Sequence, residues 1–234
     1  MAKVKIPAPF FEVGPKAYLY GDDALGLARV AEEASLETGV AVIYTPQLTD
    51  LYRIYQGTSH LFLCAQHMDS LSPGKGQGSI LPEAVRAAGA KCVMLNHAER
   101  PVTLAGLRAS LERAKEVGLI SIVCADSICE ARAAAMLGPD IVVVEPSELI
   151  GTGVTSDREL IVASTRAVKE VNPEIQVLQG AGISTAEDVY RTILAGADAT
   201  GSSSAICRAA DPGKMLREML AAARQAFDER TARQ

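Results

Sequence analysis

Glu145 closes an apolar stretch, Ile141-Val-Val-Val-Glu145, where a carboxylate costs free energy unless it has a partner or a task. A carboxylate partly withdrawn from water has a raised pKa and can act as a base near neutral pH. His97 follows a second apolar stretch and is one of only three histidines in the chain. Lys16 follows a third. Three other segments, Gly151-Thr152-Gly153, Gly180-Ala181-Gly182 and Ser203-Ser204, consist of small residues. Backbone N–H groups in such segments can approach a ligand closely, and phosphate is a usual guest. Each residue also has a plainer reading. Glu145 suits an ion pair with Lys16 or Arg100, His97 a core histidine, Lys16 a solvated surface lysine, and Gly180 and Gly182 ordinary turns. His60 and His67 suit packing or subunit contacts, and Asp69, Asp126 and Glu148 suit loops. Ser202–Ser204 lack a G-x-S-x-G frame, which argues against a serine hydrolase.

The elements that position these residues repeat one unit. Candidate strands are Phe10–Val13, Val40–Thr45, Leu61–Ala65, Cys92–Asn96, Ser121–Cys124, Ile141–Glu145, Gln176–Gln179 and a weaker one at Ala199–Ser203. They are apolar with little alternation, as parallel strands buried on both faces are. Amphipathic stretches lie between them: Asp22–Thr38, Leu48–Tyr55, Ile80–Ala88, Val102–Val117, Ser127–Met136, Asp157–Glu170, Ala186–Ala195 and Pro212–Phe227. The first places Ala24, Leu27, Ala28, Ala31 and Ala34 on one face. The fourth does so with Leu104, Leu107, Leu111 and Ala114. Thr185 followed by Glu187-Asp188 marks a helix start, and Asp211-Pro212 marks another. Gly39, Gly89, Gly118, Gly138 and Gly196 each follow a helix, where a left-handed residue is usual.

Eight strand–helix units without a linker can close as a barrel or open as a doubly wound sheet. No G-x-G-x-x-G follows the first strand, which disfavours the open sheet. The expected fold class is therefore α/β, one (β/α)8 barrel over 1–234. In such a barrel chemistry belongs at the C-terminal strand ends, where Lys16, His97, Glu145 and the small-residue segments all fall.

Composition narrows the partners. The net charge of −5 comes without a block of like charges, so nucleic acid and membrane surfaces have no electrostatic support as partners. No apolar run approaches the roughly 18 residues that span a bilayer. Residues 1–7 show no apolar leader core or cleavage site, which leads us to expect a cytoplasmic protein. The five cysteines make no C-x-x-C pair and read as reduced thiols, with no zinc or other metal site expected.

Three segments carry a family resemblance: Leu95-Asn-His-Ala-Glu-Arg100, Val144-Glu-Pro-Ser-Glu-Leu-Ile-Gly-Thr-Gly153 and Gln179-Gly-Ala-Gly-Ile-Ser184. The chain resembles triosephosphate isomerases and is most similar to their short archaeal branch. Ile-Leu-Pro-Glu at 80–83 and Val-Asn-Pro-Glu at 171–174 add to the likeness. The resemblance implies a single TIM barrel that interconverts an aldose and a ketose phosphate through an enediol. The default substrates are glyceraldehyde 3-phosphate and dihydroxyacetone phosphate, and no metal or organic cofactor is implied. It gives Glu145 the role of base, His97 that of neutral electrophile, and Lys16 that of the positive charge facing the substrate. Glu99 supports the lysine. Residues 146–153 form a lid. Gly151, Gly180, Gly182, Ser203 and Ser204 belong to the substrate and phosphate cradle. A homodimer or homotetramer is implied as well.

The departures from the family pattern lie mainly at the first strand. The family reads Asn-x-Lys where this chain has Gly14-Pro15-Lys16, so the asparagine that hydrogen-bonds the substrate oxygen is missing. Ala98 stands where a serine usually follows the histidine, and serines largely replace the glycines after the eighth strand. A glycine at position 14 suggests room for a larger or branched sugar phosphate. An isomerase of a four-carbon ketose phosphate such as an erythrulose phosphate is therefore an alternative. A barrel that binds sugar phosphates without turnover is the reading from another class.

Overall fold

The computed structural model describes residues 5–233 of the chain. The opening residues 1–4 and Gln234, which the leader reading and the 1–234 domain span include, lie outside the described residues.

Eight short strands alternate with helices. In order they are β1 (Phe10–Val13), α1 (Gly21–Thr38), β2 (Ala41–Tyr44), α2 (Leu51–Gly57), β3 (Phe62–Ala65), α3 (Pro82–Ala87), β4 (Cys92–Leu95) and α4 (Leu104–Val117). Then come β5 (Ile120–Ala125), α5 (Ile128–Met136), β6 (Ile141–Val144), α6 (Arg158–Val171), β7 (Gln176–Gln179), α7 (Ala186–Leu194), β8 (Ala199–Ser202), α8 (Ser204–Cys207) and α9 (Pro212–Ala232). The strands pair in chain order and β8 closes on β1, which makes a parallel barrel with Glu12 opposite Gly201.

The apolar runs do two jobs. Phe10, Ile43, Cys64, Cys92, Ile122, Val143, Leu178 and Ala199 belong to one buried cluster inside the barrel, and Ile6 joins it. Residues one step along, such as Phe11, Val42, Leu63, Val93 and Val142, belong to a larger cluster with the helices. A strand alternates its faces, so one short run supplies both layers. The side chain of Gln176 donates to the Ile6 carbonyl at 2.9 Å and ties the N-terminal segment to β7.

The helix signals act as their chemistry dictates. Ala24, Leu27, Ala28, Ala31 and Ala34 are the buried face of α1. Thr185 and Asp188 form a reciprocal capping box, and Asp211 accepts from the Lys214 N–H. Gly39 and Gly118 end α1 and α4 in the left-handed conformation. Leu104 departs from expectation. It is the first residue of α4 and stands exposed, while Leu107, Ser110, Leu111 and Ala114 face the barrel. The stretch expected as one helix at 48–55 is a 3₁₀ turn, Leu48–Asp50, followed by α2. All five cysteines are free, with Cys64, Cys92 and Cys124 buried in the barrel.

Candidate active site

The strand ends after β1, β4 and β6 carry Lys16, His97 and Glu145, and three turns at this end of the barrel hold a non-glycine residue at positive φ. Lys16 itself (φ 46°) follows β1, Asn96 (φ 58°) follows β4, and Ala181 (φ 66°) follows β7. Such conformations cost free energy and persist where surrounding contacts fix them. The carbonyl of Lys16 accepts from the side chains of Gln47 (2.8 Å) and Gln66 (3.2 Å). Asn96 donates to the Cys124 carbonyl at 3.0 Å and accepts from the Val102 N–H at 3.1 Å. Both turns are therefore pinned by side-chain amides, one at Lys16 itself and one directly ahead of His97.

His97 and Glu145 meet across the mouth, with Nε2 3.4 Å from Oε2. The Glu99 N–H donates to His97 Nδ1 at 3.1 Å. That bond makes Nδ1 the acceptor, so the proton of a neutral ring sits on Nε2, facing the carboxylate. Lys16 pairs with Glu99 at 3.0 Å. The pairings of Glu145 with Lys16 or Arg100 considered from sequence give way to the imidazole.

The pKa of Glu145 corrects the sequence reading. Burial pushes it up, as expected, but the hydrogen bond and charge of His97, the charge of Lys16 and the Ala181 N–H together outweigh burial. The net shift is downward, so the carboxyl is held ionised rather than poised near neutrality. A base with stronger partners is a weaker base until those partners turn to a substrate.

Glu145 leads straight into an irregular segment. A 3₁₀ turn, Ser147–Leu149, is followed by Gly151 and Gly153, both at positive φ. Asp126, read from sequence as a loop carboxylate, accepts from the Ser147 N–H and hydroxyl and so anchors the entry to this segment. At its exit the backbone passes over Gly182. A Cβ on Gly182 would stand 1.8 Å from the Val154 carbonyl oxygen, so only glycine permits this approach. Gly180 lies against Glu145, with a Cβ there reaching 3.3 Å from its Cβ and Cδ. The Ser203 hydroxyl donates to the Gly14 carbonyl. Ser204 begins the short α8, a helix the sequence did not mark. His67 is buried and bonded to Asp69 at 3.3 Å, whereas His60 is exposed. Among the described residues no cluster of acidic, cysteine and histidine side chains is arranged to hold a metal ion.

A family model described as triosephosphate isomerase matches residues 16–219. The chain belongs to the triosephosphate isomerase family. It is 38% identical over 217 residues to the triosephosphate isomerase of Methanosarcina barkeri, covering 91% of this chain and 97% of that one. It is 40% identical over 210 residues to the enzyme of Methanobacterium bryantii, covering 88% and 92%. A crystal structure of the Bartonella henselae triosephosphate isomerase shares its fold, with a TM-score of 0.75 at 16% identity over 93% of this chain and 99% of that one.

Within this triosephosphate isomerase family member, one residue of the mouth escaped the sequence reading. Glu12 on β1 points inward with Phe10, and burial pushes its carboxyl up to about 7. The charge of Glu145 adds to the rise, while Thr45, Lys16 and His97 oppose it. The signal was an acidic residue inside Phe10-Phe-Glu-Val13. The room expected beside Gly14 is not open, because a Cβ on Gly14 would stand 2.8 Å from Glu12 Oε1.

Proposed function

We propose that the protein isomerises a triose phosphate, glyceraldehyde 3-phosphate to dihydroxyacetone phosphate and back, by proton transfer between adjacent carbons. The observation that carries this reading is the ionised Glu145 carboxylate within 3.4 Å of the Nε2 face of His97, directly ahead of the glycine-bearing segment. The base-and-imidazole scheme is the family's own and is carried over to the matching residues. Glu145 takes a proton from the carbon next to the carbonyl. The C–H electrons form the enediolate carbon–carbon double bond, and the carbonyl electrons move onto oxygen. His97 donates from Nε2 to that oxygen and takes back the proton of the neighbouring hydroxyl, which becomes the new carbonyl, while Glu145 returns its proton to the former carbonyl carbon. Lys16, held by Glu99, supplies positive charge beside the substrate.

Residues 146–153 act as the lid in this reading. Closure excludes water, strengthens these interactions and keeps the enediolate from losing phosphate. Main-chain N–H groups at Gly151, Gly182, Ser203 and Ser204 cradle the phosphate, while Gly180 clears space for Glu145. The conversion is redox-neutral within the substrate, so the chemistry calls for no cofactor. A homodimer or homotetramer in the cytoplasm is the expected setting. Among the described residues no helix is long and apolar enough to cross a membrane. Tyr18, Tyr20, Tyr52 and Tyr55 are exposed rings that an assembly would cover.

The four-carbon alternative rested on space beside Gly14, and Glu12 fills that space. A coupled assay with triose phosphates and with tetrulose phosphates tests the assignment. Turnover of the triose pair, abolished by Glu145→Gln, is the expected result. Preference for a tetrulose phosphate would move the substrate, and binding without turnover of either would overturn the enzymatic reading.

A further inference from the structure

Glu12 sits one layer below the mouth, on the inward face of β1 with Phe10 beneath it and Gly14 above it. Two glycines make its slot. A Cβ on Gly14 would stand 2.8 Å from Glu12 Oε1 and 3.2 Å from Oε2. A Cβ on Gly201, its register partner on β8, would stand 2.8 Å from the Glu12 carbonyl oxygen, 2.9 Å from its Cβ and 3.1 Å from Oε2. The carboxyl thus rises into the small volume that an asparagine side chain at position 14 would occupy. A carboxyl at that place is unnecessary for packing, since an apolar side chain would fill the interior at lower desolvation cost.

We propose that Glu12 is a further catalytic residue, whose carboxyl donates a hydrogen bond to the substrate oxygen that the asparagine of other family members addresses from position 14. This rests on the isomerase reading of the same mouth. Donation requires the neutral acid, which carries one O–H. The groups facing Glu12 from each element are Thr45 after β2, Glu145 after β6, Lys16 after β1 and His97 after β4, with the thiols of Cys64, Cys124 and Cys207 around them. Lys16 gives its hydrogen bond to Glu99. The buried Thr45 hydroxyl lowers the Glu12 pKa without completing a well-formed hydrogen bond. Burial and the Glu145 charge prevail and hold the carboxyl up at about 7. A phosphorylated substrate brings further negative charge to the mouth and favours the neutral form more strongly. As the enediolate forms, the same O–H faces an oxygen gaining charge, where a positioned donor is worth most.

The side-chain identity at position 12 distinguishes donation from a structural role. Glu12→Ala is expected to lower kcat by roughly 10²–10³-fold, the usual loss for one such donor. Glu12→Gln keeps a neutral donor in nearly the same shape. It should stay within about tenfold of the parent and lose the alkaline limb of the pH–rate profile that Glu12 ionisation imposes. Gly14→Asn alone collides with Glu12 and should be poorly active, while Glu12→Ala with Gly14→Asn should exceed both single variants. A second readout needs no turnover. In Glu145→Gln protein, the infrared carbonyl stretch of bound dihydroxyacetone phosphate should lie below its free value and move back toward it when Glu12→Ala is added. Glu12→Ala with parental kcat, Glu12→Gln as damaged as Glu12→Ala in folded protein, or a carbonyl stretch indifferent to position 12 would each overturn the proposal. Absence of sugar-phosphate turnover in the unaltered protein would overturn the isomerase reading instead, and the infrared comparison would still decide whether Glu12 addresses the carbonyl.

Discussion

The two sides of the barrel mouth solve the problem of a buried carboxyl in opposite ways. On the β4–β6 side, Glu145 is desolvated but has His97 at 3.4 Å, the charge of Lys16 and the Ala181 N–H, and its pKa falls. On the β1–β8 side, Glu12 is desolvated among glycines, thiols and an incompletely bonded threonine, and its pKa rises to about 7. The same side chain becomes a held anion in one place and a near-neutral acid in the other. Pairs of titratable groups driven apart by their surroundings are how one site supplies both a base and a donor at the same pH. Ala98 apart, the β4–β6 side matches the pattern that the family resemblance names, whereas the β1–β8 side has Gly14 in place of that pattern's asparagine and a carboxyl beneath it.

Breaking the β4–β6 side carries the largest expected effect. Glu145→Gln removes the base and should lower kcat toward the upper end of the roughly 10²–10⁴-fold range for acid–base catalysis, read in the coupled triose phosphate assay. Next is Gly182→Ala. Its Cβ would meet the Val154 carbonyl, so the exit of the lid must shift. A misplaced lid should cost on the order of 10²-fold in kcat/KM, with the circular dichroism of the barrel unchanged.

The β1–β8 side is sharpened by pH. The folded Glu12 holds its proton up to about 7 and the unfolded one only to 4.5. The native state therefore binds more protons across that window, so stability contributed by this group falls as pH rises through it. Glu12→Gln has no such loss. Its stability advantage in urea unfolding should grow from near zero below pH 4.5 to roughly 3 kcal/mol above pH 7. The smallest effect belongs to Glu99→Gln. Its carboxylate is mostly exposed, so the pair with Lys16 should be worth only about 0.2–1 kcal/mol, seen as a few-fold rise in KM.

Much of this fold is legible in local sequence. Phe10–Val13 and Gln176–Gln179 have the expected bounds because short β-rich runs end where turn residues begin. The Thr185–Asp188 cap was legible because its partners lie three residues apart. Leu104 departs from the expected face because periodicity assigns a stripe without showing that burial in α4 starts only at Leu107. His97, Glu145 and Lys16 are legible as strand-end residues and Glu99 through the family resemblance, and the structure brings them together. The pKa of Glu145 was not, because it depends on an imbalance between burial and through-space partners. Glu12 was missed for a related reason. Its meaning depends on Gly201, which closure of β8 onto β1 places beside it from 189 positions away in the chain.

Proton exchange gives the most direct measurement. Dihydroxyacetone phosphate incubated with the protein in heavy water should lose one C1 proton signal and yield glyceraldehyde 3-phosphate carrying deuterium at C2, with both changes suppressed by Glu145→Gln. Exchange that persists undiminished in Glu145→Gln, or isomerisation with no solvent deuterium entering in any condition while Glu145→Gln is equally fast, would contradict the assignment of Glu145 as the proton carrier.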